Sequence, residues 1–110
     1  MNLPTPPAET PMCRLSLVFP AALETRLHTC LQTRLPAPPR YTVLDGEGHG
    51  IDFAEASVRE QIRGRVELRV LVMLLPEAAV AEVLAHLRAD IADARVQWWT
   101  ESVLAWGSLG

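Results

Sequence analysis

A histidine flanked by glycines is the residue whose setting points most directly to chemistry. His49 lies between Gly48 and Gly50, and glycine on both sides lets the backbone approach a ligand closely. An imidazole in that position is able to bind a metal, titrate near neutral pH or cap a turn. Because metal sites need several ligands, a single His leaves all three interpretations open.

Arginines gather downstream of this histidine. Arg59, Arg63, Arg65 and Arg69 are four of the ten cationic residues of the chain, and none of the ten is Lys. Guanidinium groups bind phosphate or carboxylate through two parallel hydrogen bonds, so the cluster predicts a small anionic ligand. The alternative is a solvated strand face on which Arg65 and Arg69 form ion pairs with Glu67.

The cysteines and the remaining histidines have simpler predicted roles. Cys13 begins a predicted strand, where an exposed thiol would be a soft ligand for a metal such as Zn or Cu. Cys30 lies on an apolar helix stripe and is predicted to fill the core. His28 and His86 are predicted to lie on helix surfaces without a functional role. The sequence has no Cys-x-x-Cys, His-Glu-x-x-His or phosphate-loop motif, which favours a protein that is not an enzyme.

Length and charge narrow the class of protein. The 110 residues fit one folded domain at 13–110, preceded by a Pro-rich arm at 1–12 that we predict to be disordered. A formal charge of −3 disfavours binding to nucleic acid. No apolar run approaches the length of a membrane span, so we predict a cytoplasmic protein without membrane insertion.

The spacing of the apolar residues predicts the elements that position these groups. Their order is β-α-β-β-α-β, the ferredoxin-like plan of the α+β class, in which two helices cover one face of a four-stranded antiparallel sheet. Strands are predicted at 13–19, 41–44, 65–75 and 96–100, and helices open at Pro20 and Pro76. The second strand is predicted to end in a turn at Asp45–Gly48.

The other face of that sheet is predicted to be apolar as well. In the third strand the Val/Leu row is assigned to the helix side, which leaves Leu71, Met73 and Leu75 on the uncovered face. Trp98 and Trp99 are adjacent in the fourth strand, so one indole must point away from the helices. Because an uncovered apolar face needs a partner, we predict a homo-oligomer.

Two motifs and the order of elements resemble the PII-like superfamily. Gly46–Gly50 and Gln61–Arg65 enclose the long loop between the second and third strands, and the segments Leu74–Glu77 and Val103–Leu109 extend the likeness. More closely, the chain resembles a small uncharacterised PII-like family often found beside heavy-metal efflux systems of the cobalt–zinc–cadmium type.

The resemblance implies a homotrimeric signalling protein whose uncovered sheet faces turn inward. It implies that residues 49–62 form a T-loop, which senses a small ligand between subunits and docks a partner, with a membrane metal-efflux component as one candidate. The predicted partner contacts are Phe53, Arg59 and Gln61. The predicted contacts to a small anionic ligand are Gly48, His49, Gly50, Arg63, Arg65 and Arg95.

The resemblance does not extend to the nucleotide site. Classical PII proteins bind ATP or ADP with a Gly-rich, Lys-containing loop after the second helix, whereas this chain has Ala92–Arg95 there. The leading hypothesis is therefore a trimeric regulatory protein linked to metal homeostasis. One alternative is a divalent-metal-binding protein resembling the cation-tolerance members of the superfamily, with His49 and Cys13 as ligands. The other is a small enzyme that uses the cleft between subunits.

Overall fold

Two strand–proline–helix units make up much of the chain. The computed structural model describes residues 10–49 and 66–110. Its elements are β1 Met12–Pro20, α1 Glu24–Thr33, β2 Thr42–Gly48, β3 Val66–Pro76, α2 Val80–Asp90 and β4 Gln97–Val103. Pro20 and Pro76 end strands β1 and β3, and a short 3-10 turn follows each of them. Each α-helix therefore begins after this turn, not at the proline where the sequence predicts it.

The strands form one antiparallel sheet in the order β2-β3-β1-β4. Strand β1 is central and pairs with β3 on one side and β4 on the other, while β2 pairs with β3. Side chains of both helices pack into the core on the same face of this sheet. The predicted α+β, ferredoxin-like βαββαβ sandwich is confirmed.

The face under the helices holds the core. Cys13, Leu15, Leu17 and Phe19 alternate along β1 and are all buried, as their spacing predicts. Each buried large side chain stabilises the fold by about 1.5–3 kcal/mol. The helix residues packed in the same cluster are Leu27, Cys30, Leu31, Val83 and Leu87.

The predicted facing of β3 is wrong. Leu71, Met73 and Leu75 are buried in the core under the helices. The register sets Leu17 of β1 opposite Leu71, and residues paired across an antiparallel ladder share a face. Both rows of β3 are apolar, so the sequence of β3 alone did not distinguish them. The row that lies away from the helices is Leu68, Val70, Val72 and Leu74.

Strand β2 is longer than predicted. Asp45–Gly48, predicted to be a turn, continues the ladder, with Asp45 opposite Arg69 and Gly48 opposite Val66. Pairing with β3 overrides the turn preference of these residues, because tertiary context outweighs local propensity in strands. Strand β4 likewise continues to Val103.

The folded part begins slightly before the predicted boundary. Met12 is the first residue of β1, and the Pro11 carbonyl accepts a hydrogen bond from the Glu77 N–H at 2.9 Å. The disorder predicted for the arm at 1–12 therefore fails for its last residue, and residues 1–9 lie outside the described part. None of the described helices is long and apolar enough to cross a membrane.

Candidate functional site

The predicted ligand residues that have described positions lie at one end of the sheet but on opposite edges. The register places Gly48, the last residue of β2, and Gln97, the first residue of β4, at the same end. Two strands separate β2 from β4, and at roughly 4.8 Å per strand the edges lie about 14 Å apart. His49 and Arg95 therefore do not form one pocket within a protomer.

His49 is a solvent-exposed side chain beside one carboxylate. Its ring is 70% exposed, and Nε2 lies 3.9 Å from Oε2 of Glu47. Gly48, which precedes it, is buried. Over residues 10–49 and 66–110, no group of three or more His, Cys, Asp or Glu side chains is arranged to hold a metal. A metal at His49 would need further ligands from outside these residues.

Cys13 is not the exposed thiol that the sequence predicts. It is buried in the core, and this burial, together with the nearby charge of Glu77, raises its pKa. A raised pKa disfavours the thiolate that metals bind. Cys13 also pairs with Leu75, at the end of the sheet opposite His49, so the two residues cannot share a metal within one protomer.

Arg95 already has a carboxylate partner. Its Nε and Nη2 donate to the two oxygens of Asp93 at 3.1 and 2.8 Å, and its backbone N–H donates to Oδ1 at 2.9 Å. These hydrogen bonds lower the pKa of Asp93 to about 2. Ala92 precedes this pair with φ 47°, a left-handed conformation that glycine adopts more easily. Any anion that binds the Arg95 guanidinium must compete with Asp93.

The remaining predicted site residues cannot be placed by the structure. Their predicted roles in ligand or partner binding stay predictions. The residues that lie outside the described part are Gly50, Phe53, Arg59, Gln61, Arg63 and Arg65.

Sequence reasoning missed a polar network on α1. His28 Nδ1 lies 2.6 Å from the Tyr41 hydroxyl, and its Nε2 lies 3.1 Å from Glu24 Oε2. The other Glu24 oxygen accepts a hydrogen bond from Arg69 Nε at 2.9 Å, and Arg69 is 3.3 Å from Asp45. The hydrogen bond from His28 and the charge of Arg69 lower the pKa of Glu24. The Glu24–His28 spacing of four residues was the one visible signal.

A groove runs between α2 and β4 on the helix side, and we call it the α2–β4 groove. It consists of two cavities of about 260 and 480 Å³ that share Leu84, Arg88 and Trp98. Arg88 makes no ion pair or side-chain hydrogen bond with any residue in the described part. The lining of the first cavity is mostly apolar, with Leu17, Leu84, Leu87, Ile91 and Trp98 among its residues, and Arg88 and Asp93 are its charged members.

The uncovered side of the sheet has mostly apolar side chains and one buried hydroxyl, with the charged residues Arg14 and Glu101 paired near one end. Trp99 is the indole that points away from the helices, since it pairs with Ser16 on that side. The Ser16 hydroxyl is buried and has no hydrogen-bond partner in the described part. We call this surface the open sheet face; its residues are Ser16, Val18, Leu44, Val70, Val72, Leu74 and Trp99.

Solved structures with the same fold include regulatory proteins. A DUF3240 family protein from Shewanella baltica superposes with a TM-score of 0.70 at 15% identity, covering 90% of this chain and 97% of that one. CPII from Thiomonas intermedia, a nitrogen regulatory PII-like protein bound to ADP, AMP and bicarbonate, gives 0.65 at 15% identity over 90% and 97%. A Bacillus subtilis GlnK–ATP complex gives 0.54 at 11% identity over 84% and 82%.

Because the sequence identities are only 11–15%, these superpositions show a shared fold and do not assign a function. Comparison with curated protein sequences found no match. The sequence profile described as protein of unknown function (DUF3240) matches residues 9–110. Since that match spans both strand–proline–helix units and the C-terminal segment, the chain belongs to the DUF3240 family, and its fold is that of PII-like proteins.

Proposed function

We propose that this chain is a non-catalytic regulatory protein of the PII-like kind, assembled as a homotrimer through its open sheet face. Residues 49–62 act as its T-loop and dock a partner. A small anion binds between subunits, near the end of the sheet that holds Gly48, His49 and Arg95. Family membership and the shared fold support this proposal, and the observation that carries it is the open sheet face.

A monomer would leave that face in water. Leu44, Leu74 and Trp99 remain about half exposed, and burying the rest of each side chain is worth on the order of 1 kcal/mol at about 25 cal/mol per Å². The Ser16 hydroxyl at the centre of the face is buried and has no hydrogen-bond partner among residues 10–49 and 66–110, which costs about 1–3 kcal/mol. A second copy of the sheet would bury the apolar side chains and supply polar groups to Ser16.

The assembly is tested by placing a charge on the open sheet face. Trp99→Asp should convert the trimer to monomer in sedimentation velocity at micromolar concentration, because an unpaired carboxylate would be buried in the interface. Ala85→Asp on the exposed surface of α2 is the matched control and should remain trimeric. A wild-type protein that sediments as a monomer contradicts the proposal.

The ligand is proposed to be an anion that displaces Asp93 from Arg95. CPII and the GlnK complex were solved with adenine nucleotides, and CPII also with bicarbonate. Phosphate and carboxylate groups fit the same guanidinium fork that Asp93 occupies. Calorimetric titration with ATP, ADP, AMP and bicarbonate tests this. Arg95→Gln should abolish the binding of whichever anion binds the wild type while leaving the trimer intact.

Partner docking is proposed to be separable from folding. Gly48 and Val66 pair directly across β2 and β3, so a shorter connection still closes this hairpin. Deleting Ile51–Glu60 should leave the thermal unfolding midpoint and the trimer unchanged. The same deletion should remove binding to a membrane metal-efflux component in detergent pull-downs. A deletion protein that unfolds, or that binds as the wild type does, contradicts the assignment of 49–62 as the docking segment.

We propose that the membrane metal-efflux component links this chain to heavy metals. This link rests on the resemblance of the sequence to a PII-like family found beside heavy-metal efflux systems. A direct metal site at His49 is the alternative. Titration with Zn²⁺ and Cu²⁺ of wild type and His49→Ala distinguishes the two, since the alternative requires binding that the substitution abolishes.

A further inference from the structure

The α2–β4 groove exists because the outer strand extends beyond the cover of the helices. Trp98 and Thr100 of β4 share a face with core residues of β1, since Trp98 pairs with Leu17 and Thr100 with Leu15. Both β4 side chains are nevertheless exposed, whereas both β1 side chains are buried. On the helix side, β4 therefore presents one large apolar side chain, Trp98, beside the polar Thr100, and the described part of the protomer leaves both exposed.

The segment that follows β4 has the matching chemistry. Residues 104–110 include no charged side chain. Leu104 is 94% exposed, Leu109 is fully exposed, and Trp106 is more than two-fifths exposed. The hydrogen bonds of Ser108 join it to Gly110, inside the same segment. We call residues 104–110 the tail; its side chains Leu104 and Leu109 have almost no cover from residues 10–49 and 66–110, and Trp106 is covered only in part.

We infer that the tail of one protomer occupies the α2–β4 groove of a neighbouring protomer, with Trp106 as its anchor beside Trp98 and Leu84. The inference rests on the self-association of the proposed function. It adds that each groove is completed by a second copy of the chain. The tail would then bury Leu104 and Leu109 as well, in a site that one protomer leaves open.

Reach and direction favour exchange between copies. Strand β4 runs from Gln97 to Val103, and the groove lies alongside it, so a tail entering its own groove would have to reverse direction immediately after the strand. An extended tail of this length spans about 20 Å, which is close to the length of β4 itself. The tail of a neighbour can enter the groove in extended form without that reversal.

Chemistry also favours the tail as the occupant. The uncharged tail suits the first cavity, whose lining is apolar apart from Arg88 and Asp93, whereas Glu77 and Glu101 add two carboxylates to the second cavity. An aromatic side chain buries roughly 150–250 Å², so one tail buries several hundred Å². A stable interface needs about 1,200 Å² or more in total. Tail exchange therefore reinforces the contact through the open sheet face and does not replace it.

Photo-cross-linking tests the location of the tail. Full-length protein carrying Trp106→p-benzoylphenylalanine is irradiated at micromolar concentration, and cross-linked peptides are mapped by mass spectrometry. We expect cross-links between different chains, from position 106 to the groove residues Leu84, Arg88, Trp98 and Thr100, with oligomers that survive denaturing electrophoresis. Glu82→p-benzoylphenylalanine, on the exposed side of α2, is the matched control and should give at least tenfold fewer cross-links between chains.

Other outcomes overturn the inference in distinguishable ways. A monomer in sedimentation overturns both this inference and the proposed function. The tail exchange alone is overturned if the protein is a multimer but position 106 cross-links within its own chain. The same holds if position 106 cross-links to the open sheet face of any chain, or forms no cross-link. Trp106→Ser gives an independent measure and should weaken assembly at least about tenfold, the loss typical of a buried aromatic anchor. Assembly as strong as in the wild type would contradict the role of Trp106.

Discussion

The two faces of the sheet have similar side chains and different surroundings. On one face Leu15, Leu17 and Leu71 are covered by α1 and α2 and have almost no contact with water. On the other, Leu74 and Trp99 are about half exposed, and no helix in the described part of the chain covers them. The difference shows that apolar composition alone does not decide burial, because the number of helices limits how much of the sheet one chain can cover.

The comparison separates two sources of stability. Contacts on the helix side belong to the chain itself, and their contribution does not depend on protein concentration. Contacts on the open sheet face form between copies in our proposal, so their contribution grows with concentration by mass action.

The largest expected effect comes from a cavity under the helices. Leu17→Ala should lower the free energy of unfolding by about 2–5 kcal/mol, because Leu17 is buried and its truncation leaves a void. Urea denaturation at two protein concentrations should give the same loss.

Val72→Ala is the counterpart on the open sheet face. Its side chain is partly exposed, so the loss in dilute protein should be about 1 kcal/mol or less. In the same urea experiment this loss should increase with concentration. If Leu17→Ala and Val72→Ala lowered the free energy of unfolding equally at every protein concentration, the two faces of the sheet would not differ in what covers them.

Ser16→Ala sharpens the comparison at the centre of the open sheet face. Because the hydroxyl is buried and no described residue bonds to it, its removal should raise the free energy of unfolding of dilute protein by up to about 1 kcal/mol. Ser102→Ala, at an exposed position of β4, should change little. A loss of stability for Ser16→Ala at high concentration only would place the partner of the hydroxyl in a neighbouring copy.

The smallest effect is expected at a site on neither face. The folded pKa of Asp93 is about 2, below its ordinary 3.8, so its ion pair with Arg95 stabilises the fold above about pH 4. That stabilisation is lost as pH falls toward 2. Because solvent screens a pair on a loop, we expect Asp93→Asn to cost about 1 kcal/mol or less at pH 7. The difference from wild type should vanish near pH 2, as measured by urea denaturation across this range.

Much of the fold could be predicted because local patterns were unambiguous. Cys13–Phe19 alternates between apolar and other residues with a clear apolar row, and that row is buried. The facing of β3 was not predictable from β3 itself, since both of its rows are apolar. Only the register with β1 decides between them. The extension of β2 through Gly48 depends in the same way on a partner strand distant in sequence.

The candidate site was less predictable because it depends on contacts between elements. The sequence indicated Arg95 as an anion contact, but not that Asp93 holds its guanidinium. The sequence placed Cys13 at the start of a strand, but its burial depends on the elements that pack against that strand in the tertiary fold. His28 and Glu24 were spaced for contact on one helix, whereas Tyr41 and Arg69 join them only through the tertiary fold.

The strand order has a consequence for how the chain must fold during synthesis. The N-terminal half contributes β1 and β2 and the C-terminal half β3 and β4, yet the order β2-β3-β1-β4 alternates between the halves. Among the four described strands, neither half holds two that pair with each other, so the ladders of this sheet join one half to the other. During synthesis, β1 and β2 therefore have no strand to pair with until β3 has left the ribosome. The strand pairs of the sheet join residues that are far apart in the sequence, and such contacts slow folding. The sheet therefore forms only when both halves of the domain are present.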